Sequence, residues 1–246
     1  MLHRRPAALA LLALMTAACR GDDDCAKDAS AAAGATLATL ETRDGVCLSG
    51  DLWTGAKGAG GVVLLHMNPE ANDRSNWPVP FLQGLADRGL YVLSIDRRGT
   101  GQSGGVATDA FDGDKGRYDV EAAVDALSDE GMGKLAIISA SNGTTSAVDY
   151  AAWSARDAAL TGVVLMTGGT YTENQTSMDD YAAEALPTLF VVATDEAEWT
   201  DAQLSRDPGS WAWVEPAATG HGTHIFAESG DVQGIVTDWV DGALGG

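Results

Sequence analysis

One stretch, Lys134 to Tyr150 (KLAIISASNGTTSAVDY), limits most what this 246-residue chain can fold into. An apolar run of strand type, Leu135 to Ile138, ends in Ser139-Ala140-Ser141-Asn142-Gly143, and a small, Ala-rich helical stretch to Trp153 follows at once. Strand, sharp turn and helix in so few residues hold the central serine up at the carboxyl end of the strand. Such a turn needs small residues two before and two after the serine, because neighbouring backbone passes close by. Gly143 meets the second requirement, and Ser139 stands where glycine is usual, so the motif reads Ser-x-Ser-x-Gly.

A serine hydroxyl is a poor nucleophile until a base takes its proton, so a serine displayed in this way calls for a carboxylate and then a histidine further along the chain. There are four histidines. His3 lies in a leader-like segment and His66 precedes the serine, which leaves His221 and His224 in Gly220-His221-Gly-Thr-His224. His221 is the candidate base. His224 falls in the first turn of the next helix, where a capping or surface role fits. A second apolar run, Pro187 to Ala193, ends in Thr194-Asp195-Glu196. That puts a carboxylate at the end of a buried parallel strand, where open α/β sheets carry their site residues. A shift of one residue at a strand end reverses side-chain direction, so only one of Asp195 and Glu196 is expected to reach the histidine.

The rest of the chain alternates. Thr36 to Leu40 and Val46 to Trp53 read as two strands around the turn Arg43-Asp44-Gly45. Strands follow at 62–65, 90–95, 135–138, 160–166, 187–193 and 211–214. Helices are expected at 75–88, 117–129 (capped by Asp119 or a near neighbour), 141–153 and 225–244. Short apolar strands alternating with amphipathic helices imply a mainly parallel sheet covered on both faces, an α/β fold. One domain over residues 36–246 suits the length.

The first residues differ. A basic start, Arg4-Arg5, precedes an apolar run from Pro6 to Ala18, too short to span a bilayer but suited to a secretory signal, expected over residues 1–18. It ends in Met15-Thr-Ala-Ala-Cys19, which resembles a bacterial lipobox with Cys19 as the lipidated residue; an ordinary signal peptide is the other reading. Polar, aperiodic residues 19–35 then read as a lipidated tether. Cys25 and Cys47 remain as a pair, either bridged, as an even count in an exported chain suggests, or free. The expected location is therefore the cell envelope, with membrane attachment through the N-terminal lipid alone. Formal net charge is −20, and about −22 once Arg4 and Arg5 are removed, which argues against nucleic acid and anionic lipid as partners.

Four segments together resemble the α/β-hydrolase superfamily over roughly residues 40–246. Val62-Val-Leu-Leu-His66-Met67-Asn-Pro69 is similar to the strand ending in His-Gly-x-Pro, with Met67 in place of the common glycine. Asp96-Arg-Arg-Gly99-Thr-Gly101-Gln-Ser103 is similar to the Asp-x-Arg-Gly-x-Gly-x-Ser turn. The Ser141 turn and Gly220-His221-Gly222 complete the set. The resemblance implies a sheet of about eight strands and, since only about twenty residues separate the strands at 160–166 and 187–193, no large cap domain and an open, shallow site. Small dienelactone-hydrolase-like serine esterases are the most similar branch. It further implies Ser141 as nucleophile, His221 as base, and an oxyanion hole from the backbone N–H groups of Met67 and Asn142. Relatives often place the acid nine residues after a proline like Pro187, which is Glu196, with Asp195 the alternative. The expected activity is hydrolysis of small or short-acyl carboxylic esters, without cofactor or metal. A non-catalytic binding lipoprotein on the same scaffold, a thioesterase and a peptidase are the alternatives. Asp109, Asp112 and Asp114 lack calcium-loop spacing, and Gly99-Thr-Gly101 is not followed directly by the helix a dinucleotide site needs. His66 is expected to support the oxyanion loop and Asp96 to hold its turn.

Overall fold

Runs such as Val62-Val-Leu-Leu65 are apolar on both sides of the strand, so each face of the sheet must be covered by helices. The computed structural model, which describes residues 29–56, 58, 60–68, 72–154 and 159–245, has this arrangement. Cys19, the 1–18 leader, Cys25 and Pro69 lie outside the described residues. Cys47 is disulfide-bonded.

The strands are β1 (Thr36–Glu41), β2 (Cys47–Trp53), β3 (Gly61–Leu65), β4 (Tyr91–Ile95), β5 (Leu135–Ala140), β6 (Leu160–Met166), β7 (Thr188–Val191) and β8 (Trp211–Val214). They form one sheet in the order β1-β2-β4-β3-β5-β6-β7-β8. β1 and β2 pair antiparallel, as do β2 and β4, and the remaining pairs are parallel. The helices are α1 (Val79–Asp87), α2 (Thr108–Phe111), α3 (Gly116–Asp129), α4 (Gly143–Trp153), α5 (Met178–Ala183), α6 (Glu198–Asp201), α7 (Ile225–Glu228) and α8 (Val232–Leu244). Period-two alternation splits the core. Val63, Leu65, Ile137, Val163 and Phe190 face α3, α4 and α5 on one side. Val62, Leu64, Ile138, Val164 and Val191 face α1, α7 and α8 on the other.

The chain runs from β3 outward to β4 and then returns to place β5 on the other flank of β3. This reversal opens a crevice at the carboxyl ends of β3 and β5, the position where open α/β sheets bind ligands. The loop after β3 carries Met67, and the turn after β5 carries Ser141.

Three helix expectations need correction. Residues 75–88 do not form one helix. A 3-10 turn covers Arg74–Asn76, Trp77 is extended ahead of Pro78, and α1 starts at Val79. Proline disfavours helical backbone in the residue before it. The final helix is also interrupted: Ser229 takes an extended conformation between α7 and α8. Asp119 does not cap α3. It sits inside the first turn, fully buried, with its carboxylate accepting from the Arg98 backbone N–H at 2.9 Å and from Arg98 Nε at 2.7 Å. The same guanidinium reaches Asp44 in the β1–β2 turn at 2.8 and 3.0 Å, so one arginine fastens the hairpin, the β4 turn and α3 together.

Residues 30–35, at the end of the expected tether, lie against the body. Ser30 O accepts from Arg74 Nη2 at 3.2 Å, and the Ala32 N–H donates to Asp51 at 3.2 Å.

Burial raises the Asp119 carboxyl above its ordinary range, against the pull of Arg98. Removing one partner of such a buried pair leaves an uncompensated group, so Arg98→Met is expected to cost about 3–5 kcal/mol of stability. Urea unfolding of wild type and variant measures this, and a midpoint within error of wild type would show that the network is not needed for stability.

Candidate active site

The backbone of Ser141 has φ 50°, in the left-handed region that a residue with a side chain rarely adopts. Several bonds hold it there. Its N–H donates to Met166 O at 2.8 Å, and its carbonyl accepts from the Thr144 N–H at 2.8 Å and from Thr144 Oγ1 at 2.7 Å. α4 begins two residues later at Gly143. A Cβ at that position would stand 2.6 Å from His66 O and 2.8 Å from Leu65 O, so the turn closes against the end of β3 only with glycine there. On the near side, Ser139 is fully buried and its hydroxyl donates to Val164 O at 2.9 Å. The sheet has room and an acceptor for this hydroxyl, which accounts for a serine where glycine is usual.

Ser141, His221 and Glu196 come together from three separate strand ends. Ser141 Oγ lies 2.6 Å from His221 Nε2, and His221 Nδ1 lies 2.7 Å from Glu196 Oε2. His221 and Glu196 are each partly open to solvent, whereas Ser141 is buried. Asp195, the other candidate acid, is not brought to His221 and is exposed. After Ala193 the chain enters a 3-10 turn, Thr194–Glu196, in which successive side chains diverge by about a third of a turn rather than alternating as in a strand. Glu196 is the residue that this turn carries inward. His224 ends a 3-10 turn at Gly222–His224 and is exposed.

Met67 also has a packing role. Gly222 has φ 53°, and a Cβ there would meet Met67 Sδ at 2.6 Å. Thr223 Oγ1 lies 3.7 Å from the same sulfur. The methionine that replaces the common glycine therefore fills the space beneath the histidine loop, and a glycine in that loop accommodates it. Among the described residues, the backbone N–H groups of Met67 and Asn142 have no hydrogen-bond partner. The Asn142 N–H opens α4, where the helix dipole adds partial positive charge.

A buried layer supports this crevice. The Arg97 backbone N–H donates to His66 Nε2 at 2.9 Å, so His66 carries its proton on Nδ1 and donates it to Met67 O at 2.9 Å. Arg97 Nη1 and Nη2 donate to Asn142 Oδ1 at 2.9 Å and to Ser146 Oγ at 2.8 Å, tying the β4 turn to α4. Burial lowers the Arg97 guanidinium to about 10. Asp96 accepts from the Arg74 N–H at 2.9 Å, from the Arg74 guanidinium and from the Gln102 N–H at 2.7 Å, which holds its turn. Sequence reading singled out neither Thr167, Tyr171 nor Gln175, which lie in the segment after β6. No spacing or motif marks them; the fold brings Tyr171 beside Ser141, while Thr167 and Gln175 bond to the tyrosine and its loop.

Against known proteins, a family profile described as Serine aminopeptidase, S33 matches residues 60–216. No curated protein matches. Similar solved structures include the esterase Pf2001 of Pyrococcus furiosus, 19% identical with a TM-score of 0.64, covering 86% of this chain and 93% of that one. The esterase RhEst1 of Rhodococcus sp. ECU1013 is 16% identical with a TM-score of 0.64, covering 85% and 99%. The Cif epoxide hydrolase of Acinetobacter nosocomialis is 14% identical with a TM-score of 0.66, covering 86% and 90%. At these identities the likeness is one of fold, and the fold is that of the α/β-hydrolases.

Burial, with Arg97 alongside, pushes the His66 imidazole down to about 3. An unfolded histidine titrates near 6.5, so above that pH both states are neutral and His66 adds no pH dependence. Below it the unfolded chain binds the extra proton, and stability falls as pH drops from 6.5 toward 3. At pH 5 this loss is about 2 kcal/mol relative to pH 7.5. Urea unfolding at both pH values, compared with His66→Asn, isolates it: the variant should lose about that much less between the two. Equal losses would mean that His66 is charged in the fold.

Proposed function

Because this chain belongs to the hydrolase family described as Serine aminopeptidase, S33, we propose that it is a serine hydrolase and, within that class, a carboxylic ester hydrolase acting on small or short-acyl substrates. The observation that carries this reading is the unbroken line from Ser141 Oγ through His221 to Glu196, with contacts of 2.6 and 2.7 Å. His221 takes the serine proton as Oγ attacks the ester carbonyl, then returns it to the departing alcohol. Glu196 holds the imidazole in the tautomer whose Nε2 is free to accept, and stabilises the cation that forms. The negative charge on the carbonyl oxygen falls to the Met67 and Asn142 N–H groups, each of which can be worth about 3–4 kcal/mol. Water then attacks the acyl-enzyme by the same route in reverse.

Short substrates are favoured because residues 167–187, between β6 and β7, contain a single short helix, α5, in the place where a cap would stand. The same brevity supports kinship with compact dienelactone-hydrolase-like esterases. A second reading, a peptidase using the same residues, is favoured by the name of the matched family. No cofactor or metal has a step in either.

Labelling with a fluorophosphonate probe, followed by assay on p-nitrophenyl esters and aminoacyl naphthylamides, tests both. Wild type should label and cleave the esters; preference for the amides would favour the peptidase. A folded wild type that does neither would point to a binding module. Ser141→Ala should abolish labelling. Glu196→Ala should lower kcat by about 10⁴-fold, the scale seen when the orienting acid of such a triad is lost. Asp195→Ala should leave kcat within about twofold, as expected of an exposed carboxylate outside the relay.

The lipobox-like Met15-Thr-Ala-Ala-Cys19 supports export as an envelope lipoprotein anchored through Cys19. Globomycin should block processing of the wild-type chain. A Cys19→Ser chain processed normally, with the wild type released in soluble form, would overturn the anchor.

A further inference from the structure

Tyr171 lies in the short segment that stands where a cap would be. Its hydroxyl donates to Thr167 O at 2.7 Å, and Thr167 directly follows Met166, whose carbonyl accepts the Ser141 N–H at 2.8 Å, so the phenol is a neighbour of the Ser141 side chain. Both ends of this contact are built. Thr167 sits at φ 49°, an unfavourable backbone for a β-branched residue. It is fixed there by its N–H to Val191 O at 2.7 Å and by the Gly222 N–H to its Oγ1 at 2.9 Å, the latter a direct tie to the loop that carries His221. The ring of Tyr171 rests on Gly169, where a Cβ would come within 2.7 Å of Cζ. Its backbone N–H donates to Gln175 Oε1 at 3.0 Å. That oxygen also accepts from Thr145 Oγ1 of α4 at 3.0 Å, while Gln175 Nε2 donates to Gly169 O at 2.9 Å. One side-chain amide thus locks the tyrosine loop onto the helix that follows Ser141. Burial raises the phenol to about 12, so it keeps its proton throughout the neutral range.

We propose that Tyr171 is a positioning residue for Ser141: its hydroxyl proton is held by the Thr167 carbonyl at rest and turns to Ser141 Oγ as that oxygen gives up its own proton. The inference rests on the reading of Ser141 as the nucleophile. In the step concerned, the Oγ–H bond breaks, the proton passes to His221 Nε2, and an Oγ electron pair forms the bond to the substrate carbonyl carbon. Tyr171 keeps its O–H bond and changes only its acceptor. A growing negative charge makes Oγ a stronger acceptor than a neutral carbonyl, which gives the hydroxyl its reason to turn. The same contact recurs when the acyl-enzyme breaks down and Oγ leaves.

Tyr171→Phe keeps the ring on Gly169 and removes only the hydroxyl. Rates of fluorophosphonate labelling, kcat and KM on p-nitrophenyl acetate, and the thermal midpoint are measured for both proteins. The expected result is a loss of about 10- to 100-fold in labelling rate and kcat, the size of one hydrogen bond to a charged oxygen. KM should stay within about twofold, and the loss should be constant from pH 7 to pH 9, since the phenol holds its proton there. If the variant melts lower, both proteins are compared at a temperature where circular dichroism shows each folded; a kcat loss that vanishes there overturns the proposal. Unchanged labelling and kcat in Tyr171→Phe, with wild type active, overturns it as well. A wild type that never labels rejects the nucleophile reading itself, and the proposal with it.

Discussion

The contact on which the crevice depends is the approach of α4 to the end of β3. Two backbone segments meet there at a distance that leaves no space for a Cβ at Gly143. This one approach fixes the Ser141 backbone in its left-handed conformation and lifts its side chain out of the sheet. It also sets Asn142, at the start of α4, close to the end of β3, from which the loop carrying Met67 leaves.

The strain of that closure is held by buried polar bonds rather than by apolar packing alone. His66, Arg97 and Asp96 all sit at the carboxyl ends of β3 and β4, and each binds backbone or side chain of a neighbouring loop. Their burial moves His66 and Arg97 toward their neutral forms and raises the Asp96 carboxyl. Buried hydrogen bonds of this kind favour one arrangement, because a shift would break them with no water to replace them. Beneath the histidine loop, buried Met67 and Gly222 form a matched pair: the bulk of one is accommodated by the bare α-carbon of the other. Departures from the usual pattern at Ser139 and Met67 therefore each have a local complement, a carbonyl acceptor for the first and a glycine for the second.

Much of the fold was legible because the signals were local. Apolar runs of four to seven residues, each bounded by turn residues, marked strands whose two faces both had to be buried. The alternation of strand and helix then left a parallel sheet as the arrangement that covers them. Helix ends were less legible. The effect of Pro78 on Trp77 could have been read from the sequence, whereas the extended Ser229 depends on how α7 and α8 pack. Asp119 looked like a cap because acids favour the first helical turn, but Arg98, distant in sequence, claims it.

By itself the sequence determined the strand–turn–helix around Ser141, the order of serine, acid and histidine, and the strand ends that would carry them, since these follow from residue size and hydrophobic period within single segments. It left Asp195 and Glu196 open. Tertiary structure decided between them through the 3-10 turn after β7, which sets the direction of each side chain by three-dimensional path rather than by strand alternation. It alone brought Tyr171 beside Ser141, with Thr167 and Gln175 holding the tyrosine in place. Their side chains belong to a loop without periodic pattern, and such a loop takes its shape from the groups it touches, here Val191, Gly222 and Thr145.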